Sequence, residues 1–299
     1  MENEYVIETR ALTKKFPGKL AVDHVDMHIK KGDIYGFIGK NGAGKTTAMK
    51  LILGLLNPTY GEIDLFGTTD YVHARKKIGS LIEAPGLYKN FSAYENMKRF
   101  SIIFGGTDAE IKEILALVGL SDVGGRKVAN YSLGMKQRLG IAVALLGNPE
   151  ILILDEPMNG LDPAGIKEIR DTILNLNKEK GVTFLISSHI LDELAKIATT
   201  YGIINNGRLV DEIDAETLMK RCENKLVIKV SDTNKALEIL NKEGFLENYK
   251  QEGDTVTLFD HLDMSSVINE KLVNGGIGVY ELAKSSSDFE DYFIERIGR

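Results

Sequence analysis

The chain has 299 residues, 43% of them hydrophobic and 27% charged, and a formal net charge of −6. That length suits one large domain plus a small one, with ample core. The acidic balance argues against an intrinsic nucleic-acid binder or a polybasic membrane surface, and the single cysteine, Cys222, excludes an internal disulfide.

The N-terminal stretch MENEYVIETR is charged and lacks the apolar core of a signal peptide. The longest apolar run, LGIAVALLG, is far short of the ~18 residues of a membrane span. A cytoplasmic chain is therefore expected, and any membrane role requires a partner. YVIETR and AVDHVDMHIK alternate in period two and read as antiparallel strands. DIYGFIG, IGSLIE, ILILDEP and VTFLISS are apolar until their ends, which suits buried parallel strands. Helical patterns lie between them, among them DPAGIKEIRDTILNLNKEKG, closed by Gly181. Strands alternating with helices imply an α/β layered sheet. Residues 84–148 carry apolar residues at three- and four-residue steps and read as a helical insertion.

YGIINNGRLVDEI reads as a hairpin turning at Asn205, Asn206 and Gly207. Beyond it the character changes. LVIKV, NKALEILNKEG, LENYKQ, TVTLF, MSSVINEKLVNGG and GVYELA follow the order βαββαβ, the ferredoxin-like split pattern. The boundary falls near Glu223, giving a domain over 1–223 and an α+β accessory domain over 224–299. In the last helix, Phe289, Tyr292, Phe293 and Ile297 form a docking stripe.

GKNGAGKTT is the sharpest chemical signal. Gly39, Gly44, Lys45 and Thr46 fit G-x-x-x-x-G-K-[ST], after a strand and before a helical pattern. Residues Gly39, Lys40, Asn41, Gly42, Ala43, Gly44, Lys45, Thr46 and Thr47 are the predicted nucleotide-binding loop. Glycines let backbone amides converge on phosphate oxygens, and the helix start adds its positive dipole end. Lys45 supplies charge for the β- and γ-phosphates, and Thr46 a hydroxyl for Mg²⁺. ILILDEP places Asp155 and Glu156 at the carboxyl end of a buried strand, where open α/β sheets bind ligands. Asp155 is expected to hold the metal through water and Glu156 to activate the attacking water. His189 also ends a central strand. In IGSLIEAPGL a lone carboxylate, Glu83, stands at a strand tip before Pro85 and Gly86.

NYSLGMKQRLGIAVAL then decides the class. Residues 5 to about 213 resemble the ATP-binding cassette (ABC) ATPases throughout: phosphate loop, helical insertion, serine–glycine helix start, acidic strand end, histidine strand end. Ser132, Leu133, Gly134 and Met135 stand where that family has Ser-Gly-Gly-Gln, so Leu133 and Met135 depart from its commonest form. The resemblance implies that Ser132, Gly134 and Met135 contact ATP held by a second copy in a head-to-tail dimer, with Asp162 of NGLD reaching across. It implies that Phe16 stacks on adenine and that His189 lies near the γ-phosphate. It places Glu83 where most of the family has a glutamine that touches Mg²⁺ and the attacking water. The glutamate form, with IEAPGLY and YSLGMKQRL, resembles the ATPases of bacitracin-resistance and lantibiotic-immunity exporters. The expectation is an ATP-hydrolysing subunit, peripheral on the inner face of the membrane, driving a separate permease that exports peptide antibiotics. The permease is expected to dock near residues 84–101, and no nucleic-acid partner is expected. The competing class is a soluble ABC switch acting on DNA or the ribosome. The stretch from Lys45 to Ser132 is too short for the coiled coil of chromosome-type members, and the single phosphate loop disfavours the two-cassette translation type. A GTPase would need Asn-Lys-x-Asp, which NKEK at Asn177 lacks.

Overall fold

A computed structural model describes residues 5–68, 70–222, 224–286 and 289–298. Two compact units divide the chain: Met1–Ala215 with Arg296–Arg299, and Glu216–Glu295. Glu223, where the sequence suggests a boundary, lies outside the described residues.

The first unit begins with strands β1 (Tyr5–Phe16) and β2 (Lys19–Lys30), then β3 (Ile34–Ile38), helix α1 (Lys45–Ile52), β4 (Tyr60–Leu65), α2 (Tyr71–Lys76) and β5 (Ile78–Leu81). The insertion contributes α3 (Ala93–Phe104), α4 (Asp108–Leu117) and α5 (Leu133–Ala144). After it come β6 (Ile151–Asp155), α6 (Pro163–Lys180), β7 (Thr183–Ser188), α7 (Leu191–Ala195), β8 (Thr200–Asn205) and β9 (Arg208–Asp214). Strands β2-β1-β4 form an antiparallel sheet, as the period-two pattern predicts. Strands β5-β6-β7-β3-β8-β9 form the larger sheet, parallel from β5 to β8, with β9 antiparallel at the edge. Every residue of β3, β6 and β7 is buried, which is why these strands read as unbroken apolar runs.

Register is what positions the site. Ile38 pairs with Ser188, and Asp155 with Ser187. The loops carrying Glu83, Asp155–Glu156, His189 and Gly39–Thr47 therefore leave the carboxyl ends of four adjacent strands, β5, β6, β7 and β3. Strand β4 and helix α2 were not anticipated. Both are short, and YGEIDL carries only Ile63 and Leu65 as apolar markers.

The insertion is helical, as expected. Capping boxes start α3 at Ser92 with Glu95 and α4 at Thr107 with Glu110. Each pair satisfies two amides that a helix start leaves without internal partners. Helix α5 lies close on β5: a Cβ at Gly79 would come within 1.9 Å of the Ala144 carbonyl oxygen. The polar rim of α3 is internally engaged. Lys98 pairs with Asp108, and Arg99 stacks 3.5 Å from the Phe91 ring centroid. The exposed apolar residues fall beyond it, at Ile102, Ile103 and Phe104. Ile103 and Phe104, with Val72, Arg75 and Lys76, line a groove of about 770 Å³.

The linking helix α8 (Ala215–Arg221) precedes β10 (Asn224–Val230), α9 (Thr233–Lys242), β11 (Tyr249–Glu252), β12 (Thr255–Leu258), α10 (Ser265–Asn274), β13 (Val279–Ser286) and α11 (Phe289–Gly298). The four strands form an antiparallel sheet ordered β11-β12-β10-β13. This is the split βαββαβ topology read from the sequence. Leu226, Ile228, Val256 and Leu258 pack with Leu240 and Leu272 of the two helices in its core. In α11, Tyr292, Phe293 and Ile297 are buried and Phe289 is partly exposed.

Candidate nucleotide site

The segment between β3 and α1 turns through Gly42 (φ 82°) and Gly44 (φ 117°), a region that L side chains rarely adopt. The two glycines differ in surroundings. A Cβ at Gly44 would lie 2.5 Å from the Ala21 carbonyl oxygen, whereas nothing lies within 4 Å of one at Gly42. Gly44 is thus needed for packing, and Gly42 keeps the pocket side open. Behind the loop, Gly207 N–H donates to the Ala43 carbonyl (2.8 Å), and Asp23 N–H to the Gly207 carbonyl (2.8 Å). The Asp23 carboxylate accepts from Arg208 Nε (2.5 Å) and pairs with His24 Nδ1 (2.6 Å). The His24 and Arg208 hydrogen bonds hold its carboxyl below the usual aspartate range.

Lys45 is buried at 5% exposure. Its Nζ donates to the Gly39 carbonyl (2.6 Å) and lies 3.2 Å from Glu156 Oε1. The other Glu156 oxygen, Oε2, is 2.6 Å from His189 Nδ1. Two cationic or donor groups from different strand ends thus bracket the predicted general base. Glu156 has φ 50°, an uncommon value for a residue with a side chain. Its N–H is fixed by Ser187, at 2.9 Å to the hydroxyl and 3.2 Å to the carbonyl.

Thr46 Oγ1 donates to Asp155 Oδ2 at 2.7 Å, and Ser187 Oγ donates to Asp155 Oδ1 at 2.5 Å. A hydroxyl and a carboxylate, converging beside a phosphate loop, form the hard-oxygen set that suits Mg²⁺. That ion is commonly held by one or two protein oxygens and completed by substrate phosphates and water. Among the described residues there is no cluster of three His, Cys, Asp or Glu able to hold a metal unaided. Glu83 is placed differently. Its backbone is at φ 63°, and its exposed carboxylate bonds Lys50 Nζ at 2.6 Å, one turn along α1 from Thr46.

Lys19, Ala21, Asn41, Gly42, Gly44, Lys45, Thr46, Thr47 and Glu156 line one hollow of about 200 Å³. Phe16 is not in that lining; it pairs across the β1–β2 turn with Lys19, which is, and is partly exposed, with Lys14 Nζ 5.3 Å from its ring centroid. A second hollow, about 430 Å³, is lined by Ser132, Gly134, Met135 and Asp162 among others. Ser132 caps α5 by accepting from Met135 N–H (3.2 Å), and Asp162 caps α6 by accepting from Gly165 N–H (3.0 Å). Leu133, the departure from glycine, sits over Gly160, where a Cβ would come within 3.2 Å of Leu133 Cδ2.

Sequence reasoning passed over Ser187, Lys50 and Lys19. For Ser187 a signal existed: it is a polar residue near the end of an apolar strand, two positions before His189.

A phosphate loop on the central strand, acidic and histidine strand ends beside it, and a serine-capped helical insertion together define a P-loop ATPase of the cassette type. Residues 22–159 match the ABC transporter family model. The bacitracin transport ATP-binding protein BcrA of Bacillus licheniformis is 43% identical over 98% of this chain and 97% of its own length. The chain belongs to the ABC transporter ATP-binding proteins. The lantibiotic transport ATP-binding protein SrtF of Streptococcus pyogenes is 42% identical over 75% of this chain and 99% of its own length. Among solved structures, the ADP conformation of an ATP-binding cassette of an ABC transporter superposes with TM-score 0.67 and 26% identity, covering 74% of this chain and 95% of that one. A dimeric, post-hydrolysis cassette bound to ADP and Pi superposes with TM-score 0.62 and 25% identity, covering 70% of this chain and 98% of that one.

Proposed function

We propose that this chain is the ATP-hydrolysing subunit of an exporter for peptide antibiotics, working as a head-to-tail pair of copies on a separate membrane permease. The observation that carries the reading is the separation of two half-sites. Lys45, Thr46 and Glu156 line one hollow, Ser132 and Asp162 line the other, and the described linings share no residue. A second copy turned about a two-fold axis brings the Ser132 hydroxyl and Gly134 backbone onto the phosphates held by the first.

In this reading the amides of Gly39–Thr47 and the Lys45 ammonium bind the phosphates, and Phe16 stacks on adenine. Thr46, Glu83 and, through water, Asp155 would hold Mg²⁺, which would neutralise charge developing on the β- and γ-phosphate oxygens. Glu156 takes the proton of the attacking water, and His189 holds its carboxylate in place through the 2.6 Å contact. Lys45, released from Glu156 to the phosphates, leaves that carboxylate free to act as base.

Among the described residues no helix is long and apolar enough to cross a membrane. The chain acts in the cytoplasm, peripheral on the inner membrane face. The groove bearing Ile103 and Phe104 next to Arg75 and Lys76 suits an amphipathic permease segment. The cassette comprises residues 1–223, and residues 224–299 form a packing or dimer-stabilising module. Relatives named for bacitracin and lantibiotic transport support peptide export and disfavour a switch acting on DNA or the ribosome. The test is radiolabelled ATP binding and turnover by the purified chain in Mg²⁺, with Lys45→Ala beside it, and identification of the integral protein that co-purifies from membranes. ATP that fails to associate, or turnover intact in Lys45→Ala, overturns the reading.

A further inference from the structure

We infer that Ser187 is a positioning residue for both acidic groups of the ATP site, an inference that rests on the ATPase reading above. Its side chain is fully buried, and its hydroxyl carries one proton and two lone pairs. The proton goes to Asp155 Oδ1 at 2.5 Å, and a lone pair accepts Glu156 N–H at 2.9 Å. One hydroxyl thus ties Asp155, the last residue of β6, and Glu156 after it to β7, at the point where Asp155 and Ser187 are register partners.

The consequences for the two carboxylates are distinct. Asp155 has two oxygens, and they divide their work: Oδ1 is held by Ser187, and Oδ2 faces Thr46 Oγ1 at 2.7 Å. Anchoring Oδ1 fixes rotation of the carboxylate about its last torsion, so Oδ2 stays aimed at the hydroxyl with which it would share a metal ion. Glu156 has the other need. Its left-handed backbone, φ 50°, turns the side chain toward Lys45 and His189, and that conformation persists only where its surroundings hold it. The Ser187 hydroxyl and carbonyl share its N–H and supply that hold. Among the described residues the Ser187 hydroxyl is the one group that touches both Asp155 and Glu156, adding to the Thr46 bond on Asp155 and the Ser187 carbonyl on Glu156.

The experiment compares wild type with Ser187→Ala and the near-isosteric Ser187→Cys, a far weaker donor. Four quantities are read: KM for ATP, kcat, Mn²⁺ affinity of the ATP complex by electron paramagnetic resonance, and Tm. Loss of an outer-shell hydrogen bond to a metal-site carboxylate commonly costs about 10–100-fold in affinity or activity. Both variants are expected to lose about tenfold or more in kcat and in Mn²⁺ affinity, with KM for ATP within about twofold, because Lys45 and the loop amides are untouched. Ser187→Cys is expected to keep Tm close to wild type, which separates positioning from folding should Ser187→Ala be unstable. Wild-type kcat and Mn²⁺ affinity in Ser187→Cys overturn the inference. Lys45→Ala is run in parallel: if it remains active, the ATP site itself is wrongly assigned, whereas an inactive Lys45→Ala beside an active Ser187→Cys sinks only the role of Ser187.

Discussion

Lys50 Nζ lies 2.6 Å from Glu83 Oε1, joining the helix of the phosphate loop to the tip of the strand that leads into the helical insertion. Glu83 is well exposed, so this ion pair adds little stability: exposed pairs contribute about 0.2–1 kcal/mol. Its importance is positional. Glu83→Ala is expected to leave Tm and ATP binding nearly unchanged while weakening peptide resistance in cells carrying the permease. ATPase and resistance are measured separately, and unchanged values of both remove Glu83 from coupling.

Glu156→Gln keeps the shape of the base and removes its proton affinity. Turnover should fall by about 10²–10⁴-fold, the usual range for losing a general base. ATP binding persists, so the pair of copies should accumulate in its closed form. Size-exclusion chromatography in ATP and Mg²⁺ should show a dimer; monomer alone would contradict the shared site.

The two loop glycines should fail in different ways. Gly44→Ala meets the Ala21 carbonyl at 2.5 Å and should destabilise the fold by roughly 1–3 kcal/mol as well as abolish ATP binding. Gly42→Ala meets no atom within 4 Å and incurs only the left-handed backbone penalty of about 1–2 kcal/mol per residue, yet it alters the lining of the phosphate hollow. Denaturant unfolding and ATP titration on both variants should show binding lost in each, with the greater stability loss at Gly44.

Asp23 clamps the β8–β9 turn behind the phosphate loop, and its folded-state pKa is lowered by His24 and Arg208. A lowered carboxylate pKa stabilises the fold above the unfolded value, near 3.8, and that contribution is lost as pH falls through the folded value. Asp23→Asn should therefore be less stable than wild type at pH 7. The gap should stay nearly constant to about pH 5 and narrow below pH 4. Denaturant midpoints across pH 3–7 measure it; a gap independent of pH would show that the charge contributes nothing.

The order of elements and the residue types each loop presents were legible in the amino-acid string because both are local. An unbroken apolar run such as ILILD declares a strand buried on both faces, and GKNGAGKTT declares a loop whose amides must converge. The split βαββαβ pattern was readable for the same reason. Short pieces were not: YGEIDL has two apolar residues among polar ones, and only its neighbour β1 makes it a strand.

Sequence by itself determined which residues are candidates for phosphate, acid and base chemistry, since residue type and spacing fix donors, acceptors and backbone freedom. Tertiary structure alone decided who meets whom. That Ser187 serves Asp155, that Glu83 bonds Lys50, and that Leu133 rests on Gly160 depend on strand register and loop approach. Those are set by packing between segments far apart in the chain, which no local pattern records.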